Sequence, residues 1–139
     1  MEAGPEAVWR GLARYWGGPG ARVASAGTRL LGCRETSSRG SLDQAGSTVA
    51  GFRVDRAERP RVLALEGRHR FARYRLTFQI DDLGGGRSRL TATSDADFPG
   101  AAGRVYRALV IGTRGHVVAV RRMLATIARH AVRSGATSA

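Results

Sequence analysis

The sequence predicts an α+β fold in which a curved antiparallel sheet lies around a long C-terminal helix, with one short helix ahead of the sheet. Three observations predict it. Residues 6–16 carry apolar side chains at helical spacing. Residues 21–96 are short runs rich in Val, Leu, Thr, Phe and Tyr, broken by Gly, Ser, Asp and Pro. Residues 101–133 keep a single helical phase. With 139 residues and 42% hydrophobic composition, the chain is expected to form one domain over its whole length, 1–139. A chain of this size buries about two thirds of its unfolded surface, so its core needs no disulfide or structural metal.

In the first helix Val8, Trp9, Leu12 and Trp16 repeat at spacings of mostly three and four, and Arg10 and Arg14 lie away from them. Pro5 suits the first turn, where no backbone N–H is needed. The run Gly17, Gly18, Pro19, Gly20 stops the helix.

The clearest strand is residues 71–80, where Tyr74, Leu76, Phe78 and Ile80 alternate with Arg73, Arg75, Thr77 and Gln79. Residues 88–96 alternate in the same way, with Leu90, Ala92, Ser94 and Ala96 on one side. A hairpin loop at 81–87 joins the two. A loop centred on Gly84 sets Phe78 opposite Leu90, Leu76 opposite Ala92 and Arg73 opposite Asp95, so the apolar faces coincide. Earlier strands are expected at about 21–33, 46–54 and 61–66, with loops at 35–44 and around Gly67.

Pro99 and Gly100 close the sheet region, and one helix is expected from 101 to 133, bent at most at Gly112 and Gly115. At about 100° per residue its seven arginines share an arc of about 120°. Val105, Leu109, Thr113, His116, Val120, Met123, Leu124, Ile127 and Ala131 cluster on the opposite side, which should face the sheet.

Every one of the 23 basic residues is Arg, against 11 acids, for a formal charge of +12. A GC-rich genome explains why the cations are Arg but not why they outnumber acids, and beyond Asp97 there is no acidic residue at all. A basic helix face can follow a nucleic-acid backbone or lie on an anionic membrane. Against nucleic acid, the chain has no recognition motif and no aromatics between the arginines. Against the membrane, the sheet needs the apolar face of that helix for its own core. A solvated face is the expectation. There is no run of 18 apolar residues, residues 1–10 lack the regions of a signal peptide, and the single Cys33 asks for no oxidising compartment, so a cytoplasmic location is expected.

No catalytic constellation emerges. His69, His116 and His130 have no metal-ligand spacing with Cys33 or a carboxylate, and the glycine runs lack the Lys and Ser/Thr of a phosphate-binding loop. Neither a metal nor a cofactor is expected. His116 is the polar residue set into the apolar helical face, the position of an anchor in an otherwise apolar ligand cavity. The commoner role for such a residue is a core histidine bonded to a backbone carbonyl. Tyr74 and Tyr106 carry the same two readings. With Phe78, Thr113 and Trp16 they complete the candidate ligand-binding residues.

The order of elements resembles the START-like or SRPBCC superfamily, whose helix-grip fold wraps strands around the last helix. The stretches that carry the resemblance are 67–78, 88–93 and 98–107, from Phe98-Pro99-Gly100 through Arg104-Val105-Tyr106-Arg107. They are similar to uncharacterised actinobacterial members related to polyketide cyclases and dehydrases. The resemblance also implies a first strand ahead of Pro5-Glu6-Ala7-Val8-Trp9; here it is expected to be missing, leaving a sheet edge open to self-association. The function it implies is binding of a small hydrophobic or aromatic metabolite. The alternatives are a cyclase or dehydratase using His116, Tyr74 or Tyr106 as acid or base, and an interaction module that engages a protein or polyanion through the sheet edge or the arginine face.

Overall fold

The structure, a computed structural model, describes residues 1–18, 32–33, 37–49, 51–70, 72–112 and 114–136, with the backbone alone at 106, 109–112 and 135–136. Its elements are α1 (Pro5–Gly17), β1 (Thr48–Val49), β2 (Phe52–Glu58), β3 (Val62–His69), β4 (Ala72–Gly84), β5 (Arg87–Asp97), α2 (Gly100–Gly112) and α3 (Gly115–Ala136). Among the described residues five strands form an open antiparallel sheet in the order β1-β2-β3-β4-β5. It packs against α1 and the C-terminal helix α3, the α+β arrangement of a helix-grip fold. Most of the strand expected at 21–33 lies outside the described residues.

Helix α1 forms where its periodicity places it. Pro5 occupies the first turn with Glu6 beside it, and Val8, Trp9, Leu12 and Trp16 are buried. Acidic Glu6 also suits the positive end of the helix dipole. Trp9 satisfies its indole by donating to Asp43 Oδ1 at 2.6 Å. Arg59 bridges Glu6 at 2.9 Å and Asp43 at 3.4 Å, exposed pairs that contribute little.

The stretch 46–54 is two strands rather than one, because the chain reverses at Gly51, whose φ of 83° favours glycine, and pairs Val49 with Phe52. Strand β3 continues through Gly67 to His69, so Gly67 is a strand glycine and not a loop. Its role is steric: a Cβ there would run into the Tyr74 ring and the Gly51 carbonyl oxygen. The aromatic ring lies over the cross-strand glycine.

The β4–β5 hairpin keeps the expected faces but shifts the register by two residues. Phe78 pairs with Ala92, Leu76 with Ser94 and Arg73 with Asp97. Strand β4 runs on to Gly84, which pairs with Arg87 around a two-residue Gly85-Gly86 turn, and a bulge at 82–84 absorbs exposed Leu83. Both turn glycines have positive φ, as a tight primed turn requires. An even shift preserves parity, so Leu76, Phe78 and Ile80 are buried as the alternation implies.

The single C-terminal helix is replaced by two, of 13 and 22 residues. Arg114, at φ 54°, stands between glycines 112 and 115, each costing a continuous helix about 1 kcal/mol relative to Ala. The phase is kept in α3, where Met123, Ile127 and Ala131 are buried and Val120 and Leu124 pack on the core, while Arg121, Arg122, Arg129 and Arg133 are exposed. It is lost before the break: Val105 is 64% exposed. Helix α3 crosses α1 closely at Gly11, where a Cβ would stand 2.9 Å from the Ile127 carbonyl oxygen and 3.1 Å from the Ala131 nitrogen.

Candidate functional site

Among the described residues the apolar face of the sheet is covered at one end and open at the other. Along β5, Ser88 is fully buried, Leu90 and Ala92 are half-buried, and Ser94 and Ala96 are exposed, although all five share one face by parity. Cover is supplied by α1 and α3 over Leu63, Leu65, Phe78 and Ile80. Among the described residues it stops towards Ser94 and Ala96, which are exposed.

A row of aromatic rings borders the open end. Trp16 meets Phe52 edge to face at 5.2 Å between centroids and Phe78 at 6.5 Å, and Phe52 meets Tyr74 at 5.0 Å. Such contacts add about 0.5 to 1.5 kcal/mol each beyond their buried area and fix the rings' orientation. Tyr74 donates its hydroxyl proton to the Gly51 carbonyl at 2.7 Å, and Cys33 Sγ lies 3.6 Å from the Tyr74 hydroxyl oxygen. Trp16 Nε1 is buried and finds no acceptor among the described residues. The site is thus an apolar, aromatic wall carrying a directed phenol and an indole N–H, the composition of a small-molecule surface.

His69 packs on the Tyr74 ring at 5.4 Å, and burial holds its pKa below the ordinary value of 6.5. The neutral ring is therefore the form the fold prefers. As pH falls through 6.5 the unfolded chain takes up the proton more readily, and this part of the stability is lost on acidification. An NMR titration of the His69 ring protons should give a midpoint below 6.5.

Of the six candidate residues, three come together: Trp16, Phe78 and Tyr74 line one continuous aromatic surface through Phe52. The Tyr106 side chain and Thr113 lie outside the described residues. His116 is exposed in the first turn of α3 and does not face the sheet interior. The reason is the break at Arg114: the helical phase that placed His116 beside Tyr106 and Leu109 assumed one unbroken helix. Phe52, Gly51 and Gly67 were missed, because a single strand over 46–54 and a loop at Gly67 hid the turn and the glycine platform on which Tyr74 rests. The signal lay in Gly51 itself, a glycine inside a strand pattern.

Gly67→Val should therefore expel the Tyr74 ring from its seat and break its bond to Gly51. We expect a loss of about 2 to 3 kcal/mol by denaturant unfolding, together with a changed tyrosine near-UV circular dichroism band.

The opposite face of the sheet is polar. A groove of about 550 Å³ runs across it, lined by Arg53, Glu66, Arg68, Arg73 and Asp95 among others. Arg75 there sits 3.6 Å from Asp55. Among the described residues no cluster of His, Cys, Asp and Glu could hold a metal ion, and no helix is long and apolar enough to cross a membrane.

No protein-family model and no curated protein matches the chain. Two solved structures are similar to it. A conserved protein from Geobacillus kaustophilus superimposes with a TM-score of 0.51 at 16% identity, covering 99% of this chain and 91% of that one. CalU16 from Micromonospora echinospora gives 0.52 at 15% identity, covering 99% of this chain and 80% of the other. At these identities the likeness is one of fold alone: an α+β antiparallel sheet with a C-terminal helix.

Proposed function

We propose that the chain belongs to the START-like or SRPBCC superfamily and binds a small hydrophobic or aromatic metabolite on the open end of its apolar sheet face. The observation that carries this reading is the burial gradient along β5, from Ser88 fully buried to Ser94 and Ala96 exposed, beside the Trp16–Phe52–Tyr74 ring row. An apolar ligand placed there would remove exposed apolar surface from water at about 25 cal/mol per Å². The likeness to two solved structures of the same fold supports the superfamily but not the ligand.

The test is titration with the neutral dye Nile red, with native mass spectrometry of protein purified from its own host to look for a retained small molecule. Ser94→Trp fills the open end from an exposed position and should weaken dye binding at least about tenfold without lowering the melting temperature. Unchanged dye affinity in a folded Ser94→Trp protein would overturn the reading.

A further inference from the structure

The outer edge of β5 is the end of the strand order, and among the described residues only Ser88 uses it. The N-terminal amine of Met1 donates to the Ser88 carbonyl at 2.8 Å, and the Ser88 amide donates to the Met1 carbonyl at 3.1 Å. Both backbone groups of Ser88 therefore point away from β4. Because these groups alternate along an antiparallel strand, Leu90, Ala92 and Ser94 present theirs to the same side. No proline interrupts 87–97 and no lysine guards it, the devices by which edges are usually blunted.

The charges on this strand are complementary to themselves. On the polar face, Arg87, Arg89, Thr91, Thr93, Asp95 and Asp97 succeed one another, all exposed. If a second β5 runs antiparallel about a two-fold at Ala92, Arg87 meets Asp97, Arg89 meets Asp95 and Thr91 meets Thr93 of the other copy. Moving that axis by one residue shifts the register by two and keeps the faces together, but it breaks the charge match: about Thr91, Arg89 meets Thr93, and about Thr93, Asp95 meets Thr91, so only the axis at Ala92 pairs both arginines with both aspartates.

The same register extends a pattern already present within one copy. Across the sheet the pairs Arg53–Glu66, Glu66–Arg75 and Arg75–Asp95 alternate in sign, and Asp81 pairs with Arg89. Placing Arg89 of one copy beside Asp95 of the other carries this alternation over the junction unbroken, with opposite charges directly opposed at every step.

We propose that two copies of this chain associate edge to edge through β5, antiparallel, about a two-fold axis at Ala92. Leu90, Ala92 and Ser94 of each copy exchange about six backbone hydrogen bonds, and Arg89–Asp95 forms twice by symmetry. Met1 closes the edge at Ser88 and so limits the paired stretch at both ends.

Sedimentation equilibrium of the full chain tests this through charge swaps. The wild-type chain should dimerise with a dissociation constant below about 1 mM. Arg89→Asp alone and Asp95→Arg alone should each weaken the dimer at least about tenfold, since each sets like charges opposite one another twice. The double variant R89D/D95R should return to within about threefold of wild type. Rescue is diagnostic, because within one copy Arg89 pairs with Asp81 and Asp95 with Arg75, and the double swap mends neither. Ala92→Pro removes an outward N–H, a substitution an edge strand tolerates, and should abolish the dimer while the melting curve stays cooperative. A wild-type chain that is monomeric at about 1 mM overturns the proposal. So does a dimer indifferent to both single swaps and to Ala92→Pro, or a double swap that fails to rescue, as when a different strand occupies the edge.

Discussion

Phe78→Ala should lower the unfolding free energy by about 3 to 5 kcal/mol, lowering the melting temperature by about 10 °C or more. Phe78 is fully buried in the core cluster, with Trp16 at 6.5 Å and with Ile127 of α3, itself fully buried, in the same cluster. Removing the ring forfeits its transfer free energy and leaves a void between three elements that cannot all collapse at once. Arg75→Ala, three residues earlier on the opposite face, should be almost silent. Its side chain is 54% exposed and holds one long pair to Asp55. Chemical denaturation of both variants checks the face assignment, and an unchanged midpoint for Phe78→Ala would show it to be wrong.

Gly11→Leu should cost about 3 kcal/mol or more. Here the neighbours are backbone atoms, the Ile127 oxygen at 2.9 Å and the Ala131 nitrogen at 3.1 Å from where a Cβ would stand. A flexible side chain can move aside, but a helix backbone can yield only by moving the whole of α3. That movement would also lift Met123 and Ile127, two of the residues with which α3 covers the sheet. Gly11→Ala is the graded control. It gains about 1 kcal/mol of helix propensity against the same clash, so its loss should be well below that of Leu. A Leu variant as stable as wild type by thermal melting would mean that α1 and α3 do not cross at Gly11.

The elements that were legible in the sequence are those whose period is written in their own residues. Val8, Trp9, Leu12 and Trp16 fixed the buried face of α1, and the alternation through Leu76, Phe78 and Ile80 fixed that of β4. Ile127 and Ala131 did the same for α3. What failed depended on glycines whose conformation is set by distant partners. Gly67 reads as a turn until the Tyr74 ring is placed over it. The three glycines at 84–86 fit several turns, and only the bulge at Leu83 selects the register. Helical phase alone does not reveal that the chain breaks at Arg114, so His116 was aimed inward when it points to water. In the candidate site, Trp16, Phe78 and Tyr74 were legible because strand parity and helix phase converge on them. Phe52 was not, because its place beside Trp16 follows from the tight reversal at Gly51.

The most direct measurement of the central claim, ligand binding at the open end of the apolar sheet face, uses the chain's two tryptophans as internal reporters. Trp9, two turns earlier on the same buried face of α1, donates its indole proton to Asp43, whereas the Trp16 indole sits at the aromatic row with no acceptor among the described residues. In a ¹H–¹⁵N spectrum the two indole signals are assigned by Trp16→Phe and followed while Nile red is added. The Trp16 signal should shift in a saturable way while the Trp9 signal stays in place. A Trp16 signal that does not move while dye binds, or one that moves no more than Trp9, would contradict that claim.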